Sequence, residues 1–471
     1  MKVLLINPPC EHMLATEVPT IVNEERGYNP PLGILYLAAS IKKFSNHEVK
    51  VIDTQVEELG YSDLKERIRR YDPDVIGMTT LTFTLIDVIK LCRIIKKINP
   101  KIKIILGGPH VNIYPDETMQ TKEVDFIILN EGEEIIVELL DNIDNPKDIK
   151  GIVYRDGDKV VHTEGRPFIK DLDKIPFPDR TATPFKKYSS LLAKQTPITT
   201  MITSRGCPYK CIFCDRPHLG KMFRARSAKN VVDEMQECEQ MGIKEIFIYD
   251  DTFTIDRQRV IDICAEIHRR ELKVKWDIRA RVNTVDKELL KIMKKAGCQR
   301  IHYGVEAGNP EILKVLKKGI TKDQVRTAFK LTRKEGIDTL AYFMIGSPRE
   351  TKETILESIE FAKELKPDYV HFTITTPFPA TELFSLGLKE GIIARDYWAE
   401  YAKNPTQDFI PPLWVENLSK KELVNLLNHA YKEFYTRPIY ILQRVLKVRS
   451  LGEFRRKMKA GLKVFKLPSS K

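Results

Sequence analysis

The sequence has no uncharged apolar run approaching the roughly 20 residues that a membrane-spanning helix needs. Its first ten residues, Met1 to Cys10, are interrupted by Pro8 and Pro9. That is too soon for the apolar stretch of a signal peptide, and the segment reads instead as a buried first strand. The expectation is a cytoplasmic protein. No low-complexity tract and no second copy of any segment is present, which argues against a disordered or repetitive chain.

What is present suits a multidomain globular protein. The 471 residues are 42% apolar and 30% charged, and the length allows two to four domains. The net charge of +12 is concentrated at one end. Residues 431–471 hold twelve Lys or Arg against Glu433 and Glu453, and the rest of the chain is close to neutral. Apolar residues such as Leu442, Val445, Leu446, Leu451, Phe454 and Phe465 interleave with these cations. The pattern fits a helix packed on a domain, or one lying at an anionic, membrane-like surface, with a peripheral location and a lipid-like substrate in the second case. A nucleic-acid partner is the weaker reading of the same charge.

Residues 1–143 alternate short apolar runs with helical patterns. The runs are Lys2–Ile6, Glu48–Ile52, Val75–Met78, Ile102–Leu106 and Phe126–Leu129. Continuous Val/Ile/Leu runs mark parallel strands buried on both faces, so the fold class is α/β with a flavodoxin-like doubly wound sheet. Residues 144–196 contain a hairpin around Arg155-Asp156-Gly157-Asp158, then a proline-rich stretch, and read as a wrapping linker. Residues 197–376 return to βα alternation with six strand candidates, which predicts a partial (βα)6 barrel. Residues 377–471 read as a helical, increasingly basic C-terminal region.

Of eight cysteines, three are clustered: Cys207, Cys211 and Cys214, spaced Cys-x3-Cys-x2-Cys directly after a predicted strand. The other five are scattered through apolar or helical patterns and read as packing, although Cys10 lies near a strand end that can meet a cofactor. A structural zinc site needs four ligands, and no fourth Cys or His follows at finger spacing; His218 is the nearest. Three thiolates on one loop suit three irons of a 4Fe–4S cluster, with the fourth iron open. Arg205 and Lys210 are expected to favour the thiolate forms.

This loop resembles that of the radical S-adenosylmethionine superfamily. The resemblance implies a cluster whose open iron binds S-adenosylmethionine, reductive cleavage to a 5′-deoxyadenosyl radical, and an electron donor such as flavodoxin or ferredoxin. Other strand ends resemble that superfamily's cofactor contacts: Tyr249-Asp250-Asp251, Arg279 and Arg281, Gly304-Val305-Glu306, and Gly346-Ser347-Pro348. The implied roles are Glu306 and Asp250 on the ribose hydroxyls and amino group, Arg281 on the carboxylate, and Gly346 against adenine.

In the N-terminal unit, Asn7, Thr79, Leu81, Gly107, Gly108 and His110 fall at the strand ends where such sheets bind ligands. They resemble the cobalamin-binding domain fused to radical enzymes of the anaerobic Mg-protoporphyrin ester cyclase type. The Asp-x-His-x-x-Gly motif that lends a histidine to cobalt is missing; this loop reads Asn-Pro-Pro-Cys-Glu-His. The resemblance implies cobalamin-dependent methylation of an unactivated carbon of a small molecule. The alternatives are oxidative cyclisation, carbon–carbon coupling or rearrangement by the same radical, and a degenerate binding scaffold. A tRNA-modifying role would require a second cysteine triad, which is missing.

Overall fold

The computed structural model describes residues 1–14, 27–215 and 220–446, together with Gly461. His218 and the basic residues from Lys447 onward lie outside the described residues. The first sheet orders its strands β2-β1-β3-β4-β5-β6-β7. Strands β1 (Lys2–Asn7), β2 (Glu48–Asp53), β3 (Val75–Thr79), β4 (Lys103–Gly107) and β5 (Phe126–Ile128) are parallel. Their apolar runs are buried on both faces. Leu4, Ile76, Ile104 and Ile127 pack under the helices Tyr61–Tyr71 and Leu85–Ile98. Val3, Leu5, Ile105 and Ile128 pack under Leu32–Phe44 and Ile135–Asp141. This is the flavodoxin-like order, and its crevice opens where β1 and β3 diverge.

The hairpin expected in the linker belongs instead to this sheet. Strands β6 (Ile152–Asp156) and β7 (Lys159–His162) add antiparallel to β5. The free edge of β5 would otherwise expose a row of unpaired peptide groups, and the hairpin covers it. The N-terminal sheet thus runs to His162, beyond the expected limit at 143. The linker proper begins after the hairpin and fastens both halves. Tyr188 donates a hydrogen bond to Asp53 Oδ2 at 2.8 Å. Arg180 pairs with Glu234 at 2.6 Å, with both side chains fully buried. Burial alone would raise the Glu234 pKa, but Arg226 and Arg180 outweigh it and hold the carboxyl below its ordinary range.

The second sheet is a six-stranded open barrel, ordered β15-β14-β13-β12-β11-β8 and parallel throughout. Its strands are β8 (Ile198–Met201), β11 (Glu245–Ile248), β12 (Lys275–Ala280), β13 (Cys298–Glu306), β14 (Asp338–Ile345) and β15 (Tyr369–Ile374). Between β8 and β11 a short antiparallel ribbon, β9 (Ser204–Arg205) with β10 (Arg224–Ala225), brackets the cysteine loop. Edge strand β15 is closed by the helix Lys420–Tyr435. Tyr431 donates to Phe372 O at 3.0 Å, and Tyr435 both donates to Val370 O at 2.7 Å and accepts from Val370 N. Among the described residues no helix is long and apolar enough to cross a membrane.

The C-terminal edges of the two sheets face each other. Phe83, after β3, meets Phe378 after β15 edge-to-face at 5.9 Å and also meets Trp398. Glu131 and Glu133, after β5, meet Arg205 at the start of the cysteine loop.

Candidate cofactor sites at the facing strand edges

The cysteine loop is held from below by Asp250. This carboxylate is buried and accepts from Thr203 N and Oγ1, both at 2.6 Å, and from Ser204 N and Oγ at 3.1 and 2.6 Å. Arg259 adds Nη2 bonds to Thr203 O and Oγ1 at 2.8 and 2.7 Å. Asp250, expected to contact the cofactor, therefore has its lone pairs committed to the backbone that presents the cysteines. It acts as a positioning residue.

From the other side the loop is held by the N-terminal domain. Arg205 pairs with Glu131 at 2.7 Å and with Glu133, while Arg224 across the ribbon pairs with Glu131 at 2.9 Å. All four side chains are buried. Arg205 was expected to favour thiolates, but its charge is consumed by these carboxylates. Two of the thiols sit high: burial, then Asp251, pushes Cys214 up to about 12, and burial also raises Cys207. Metal binding at such a loop has to release protons, and the metal's own charge drives that release.

Cys211 is buried, Cys207 half-buried and Cys214 exposed. Cys207 feels the charge of Cys211, and Cys214 feels those of Cys207 and Cys211, so the three thiols share one space. In the protein alone they do not close into a ligand set. An open loop with three thiols, one of them facing outward, fits a cluster supplied as a unit.

Arg281 lies against this loop. Its Nη1 is 3.5 Å from Cys211 Sγ, its guanidinium stacks 3.8 Å from the Tyr209 ring, and Nη2 donates to Lys318 O. Glu306 is buried beside it, paired with Lys318 Nζ at 2.7 Å. Glu306 also has a φ of +70°, a strained conformation for a residue with a side chain, at a register shift in β13. The result is a buried trio, Arg281, Glu306 and Lys318, at the barrel mouth. Lys318 was not foreseen: it sits in a Lys-Lys pair that reads as surface charge, and only the fold turns it inward. Gly346 does not open toward a ligand. It has a φ of +73°, and an added Cβ would meet Leu423 Cδ2 at 2.7 Å, so the glycine is required by the helix Lys420–Tyr435.

At the edge of the N-terminal sheet, the loops after β3 and β4 are woven together. Thr80 N donates to Gly107 O at 2.7 Å and His110 N to Thr80 O at 3.1 Å. Gly108, with a φ of +103°, has no room for a Cβ between Thr79 and Thr80. His110 is fully buried, its Nδ1 lies 3.0 Å from Thr82 Oγ1, and burial pushes its pKa down to about 4, so the ring is neutral. Two buried atoms here, His110 Nε2 and Thr80 Oγ1, have no hydrogen-bond partner in the protein. Orphaned buried polar atoms are costly and mark a place for a polar ligand. Leu81, by contrast, is exposed. Asn7 is spoken for: its amide donates to Asp53 Oδ1 at 2.7 Å. The edge carrying Thr79, Leu81, Gly107, Gly108 and His110 thus fits a large polar cofactor, with Asn7 a buttress behind it.

Comparison with known proteins agrees with this division. Residues 201–362 match the radical SAM superfamily and residues 19–140 the B12 binding domain. An uncharacterised methyltransferase of Pyrococcus horikoshii is 36% identical over 94% of both chains. The anaerobic magnesium-protoporphyrin IX monomethyl ester cyclase of Cereibacter sphaeroides is 32% identical over 88% of this chain and 68% of its own. The chain belongs to the radical SAM enzymes that carry an N-terminal B12-binding domain. The fold is also that of the cobalamin-dependent radical enzyme OxsB, solved with aqua-cobalamin and S-adenosylmethionine, at a TM-score of 0.74, 19% identity, and coverage of 98% of this chain and 72% of that one. As a radical SAM enzyme of this group, the protein takes a 4Fe–4S cluster, S-adenosylmethionine and cobalamin as cofactors. The degenerate-scaffold alternative is set aside.

Asp250 offers a sharp check on how the loop is held. Asp250→Asn removes the acceptors for two of its four donors while keeping its shape, and leaves buried donors unpaired at a cost of about 1–3 kcal/mol. Iron bound after anaerobic reconstitution is expected to fall by at least half, although Asp250 is no ligand. Replacing Cys207, Cys211 and Cys214 together is expected to abolish it. Full iron in the Asp250→Asn protein would show that the loop needs no such support.

Proposed function

We propose that this enzyme methylates an unactivated carbon of a small-molecule substrate held between its two sheets. The observation that carries the reading is the opposition of the two C-terminal strand edges. The cysteine loop and the Arg281–Glu306–Lys318 trio lie on one side, and the woven loops after β3 and β4 on the other. When bound, the cluster and S-adenosylmethionine supply a radical that opens a C–H bond, and cobalamin supplies a methyl group. The chain's own share is placement. Cys207, Cys211 and Cys214 hold the iron. Arg281 and Lys318 present cations, and Glu306 a carboxylate, to the charged and hydroxyl groups of S-adenosylmethionine. Thr80 and His110 offer their unpaired atoms to cobalamin, and the neutral His110 ring takes no positive charge into that contact. The Phe83–Phe378–Trp398 contacts exclude water from the rim between the sheets.

The test is anaerobic turnover. The purified protein is expected to contain cobalt and to convert S-adenosylmethionine to 5′-deoxyadenosine under dithionite. Arg281→Ala is expected to weaken S-adenosylmethionine binding about tenfold or more, since a buried partner is then left unpaired. Formation of 5′-deoxyadenosine without cobalt binding would replace methylation by a cyclisation or coupling reaction of the same radical. No 5′-deoxyadenosine from the fully loaded enzyme would overturn the radical reading itself.

A second reading concerns location. The helix Pro438–Leu446 docks through Tyr440 and Arg444, which bond Asp368 O and Asp368 Oδ1 at 2.9 and 2.7 Å. Yet Ile439, Leu442, Val445 and Leu446 are 72, 61, 49 and 76% exposed. We propose that this apolar face, followed in sequence by the basic residues from Lys447, contacts an anionic lipid surface and brings a lipid-like substrate within reach. Salt-sensitive co-sedimentation with phosphatidylglycerol vesicles is expected, and Leu442→Glu with Leu446→Glu is expected to abolish it. Wild-type protein that ignores such vesicles at low salt would reject this contact.

A further inference from the structure

The inner face of the barrel is built differently from the packed interior of an ordinary (βα) barrel, where bulky branched side chains fill the lumen. Here the outward-facing residues of the strands are the apolar core. Ile278 and Ala280, Ile301 and Tyr303, Ala341 and Phe343, and Val370 and Phe372 are all buried against the helices. The residues that alternate with them point inward, and apart from Leu340 and Met344 on β14 they are mostly polar, among them Asp277, Arg279, Arg300, His302, Tyr342 and His371. One polar band of this inner face crosses five strands, stepping up by two residues between β13 and β14: Tyr249 directly after β11, Arg279 on β12, His302 on β13, Tyr342 on β14 and His371 on β15.

Contacts link the five. Arg279 pairs in register with His302, and its guanidinium lies 4.4 Å from the Tyr249 ring centre. His302 Nδ1 is 3.0 Å from Tyr342 Oη. Tyr342 pairs in register with His371, and their rings meet edge-to-face at 5.7 Å. The level below is closed, because Arg300 fills it and pairs with Asp277 at 3.0 Å. The level above is the Arg281–Glu306–Lys318 trio with the cysteine loop. From the N-terminal domain, the Asn29 side chain reaches Tyr249.

Within this layer Arg279 stands apart. It is exposed although it lies inside a central strand between two buried neighbours. Among the described residues it forms no ion pair. Asp277, one step below, is already neutralised by Arg300. Asp251 is close enough to feel the Arg279 charge, but it also acts on the cysteine loop. An unpaired guanidinium held over a tyrosine face, with hydroxyl and imidazole groups beside it, is the arrangement that recognises an oxyacid anion. The sequence pattern grouped Arg279 with Arg281 as a cofactor contact. The structure separates them: Arg281 turns up to the cysteine loop, and Arg279 faces the lumen one level deeper.

We propose that this layer is the substrate subsite and that Arg279 binds an anionic group of the substrate, a carboxylate or a phosphate. The inference rests on the enzymatic reading above, but its test is direct binding and needs no turnover. Three probes are followed by fluorine NMR on the full-length protein loaded with cluster and saturated with S-adenosylmethionine: 4-fluorobenzoate, 4-fluorophenylphosphonate and the neutral 4-fluorobenzyl alcohol. At least one anionic probe is expected to bind, and the neutral one at least tenfold more weakly. Preference for the phosphonate identifies a phosphate-bearing substrate, and preference for the benzoate a carboxylate. Arg279→Gln is expected to weaken the anion at least tenfold, and Arg279→Lys to restore most of that loss. Equal binding by wild type and Arg279→Gln, displacement of the probe by S-adenosylmethionine, or no binding of either anion at millimolar concentration would each overturn the assignment. Failure of the enzyme to make 5′-deoxyadenosine would leave these results standing and count against the radical reading alone.

Discussion

Arg205 is the side chain on which the placement of the two sheets turns. It begins the loop that carries the cysteines, yet both its partners, Glu131 and Glu133, come from the strand edge of the other domain. With Arg224 it forms a buried set of two guanidiniums and two carboxylates. Such a set yields little net stability, because removing four charges from water costs nearly what their attraction returns. Its value is geometric. Removing one partner leaves a buried charge uncompensated, at about 3–5 kcal/mol, so misplaced arrangements of the two domains are disfavoured by that margin.

Much of the polar chemistry follows from the same constraint. With the sheets fixed edge to edge, the cysteine loop need not be stiff on its own, and it is held by Asp250 below and Arg205 beside it. The Arg205 and Arg224 charges are spent on the interface, and burial raises the Cys207 and Cys214 thiols, so those two favour their protonated forms until metal arrives. At the barrel mouth, Arg281, Glu306 and Lys318 remain together in a partly dry space. Strain accumulates at the same place, in the left-handed backbone of Glu306. Deeper in the lumen a polar band from Tyr249 to His371 lies where a structural barrel would be filled with aliphatic side chains.

The parts of this arrangement that were legible in the sequence are those set by local pattern. Parallel strands buried on both faces read as Val/Ile/Leu runs, so the strands of the first sheet could be placed from residues such as Leu4, Ile76 and Ile104, and those of the second from the βα alternation. The cysteine spacing is local too. What sequence reasoning missed depends on partners far apart in the chain. Arg205 and Glu131 are 74 positions apart, and Arg281 and Cys211 are 70. Asp250 was rightly placed at a strand end, but no pattern shows that Thr203 and Ser204 consume its oxygens. Gly346 was rightly marked as a close-approach glycine, but what approaches is Leu423. The hairpin at residues 152–162 was visible, and its docking on β5 was not, because a free strand edge has no signature in the hairpin itself.

The central claim is that the Arg205 set makes the two cofactor domains one cooperative unit. Urea unfolding of the loaded protein, followed by two reporters at once, tests it most directly. Of the three tryptophans, Trp276 and Trp414 report the barrel and Trp398 the rim between the sheets, and cobalamin absorbance reports the N-terminal domain. Coincident transitions are expected for the wild type, with two separate transitions after Glu131→Gln combined with Glu133→Gln. Separate transitions already in the wild type, or coincident ones in the double variant, would contradict the account.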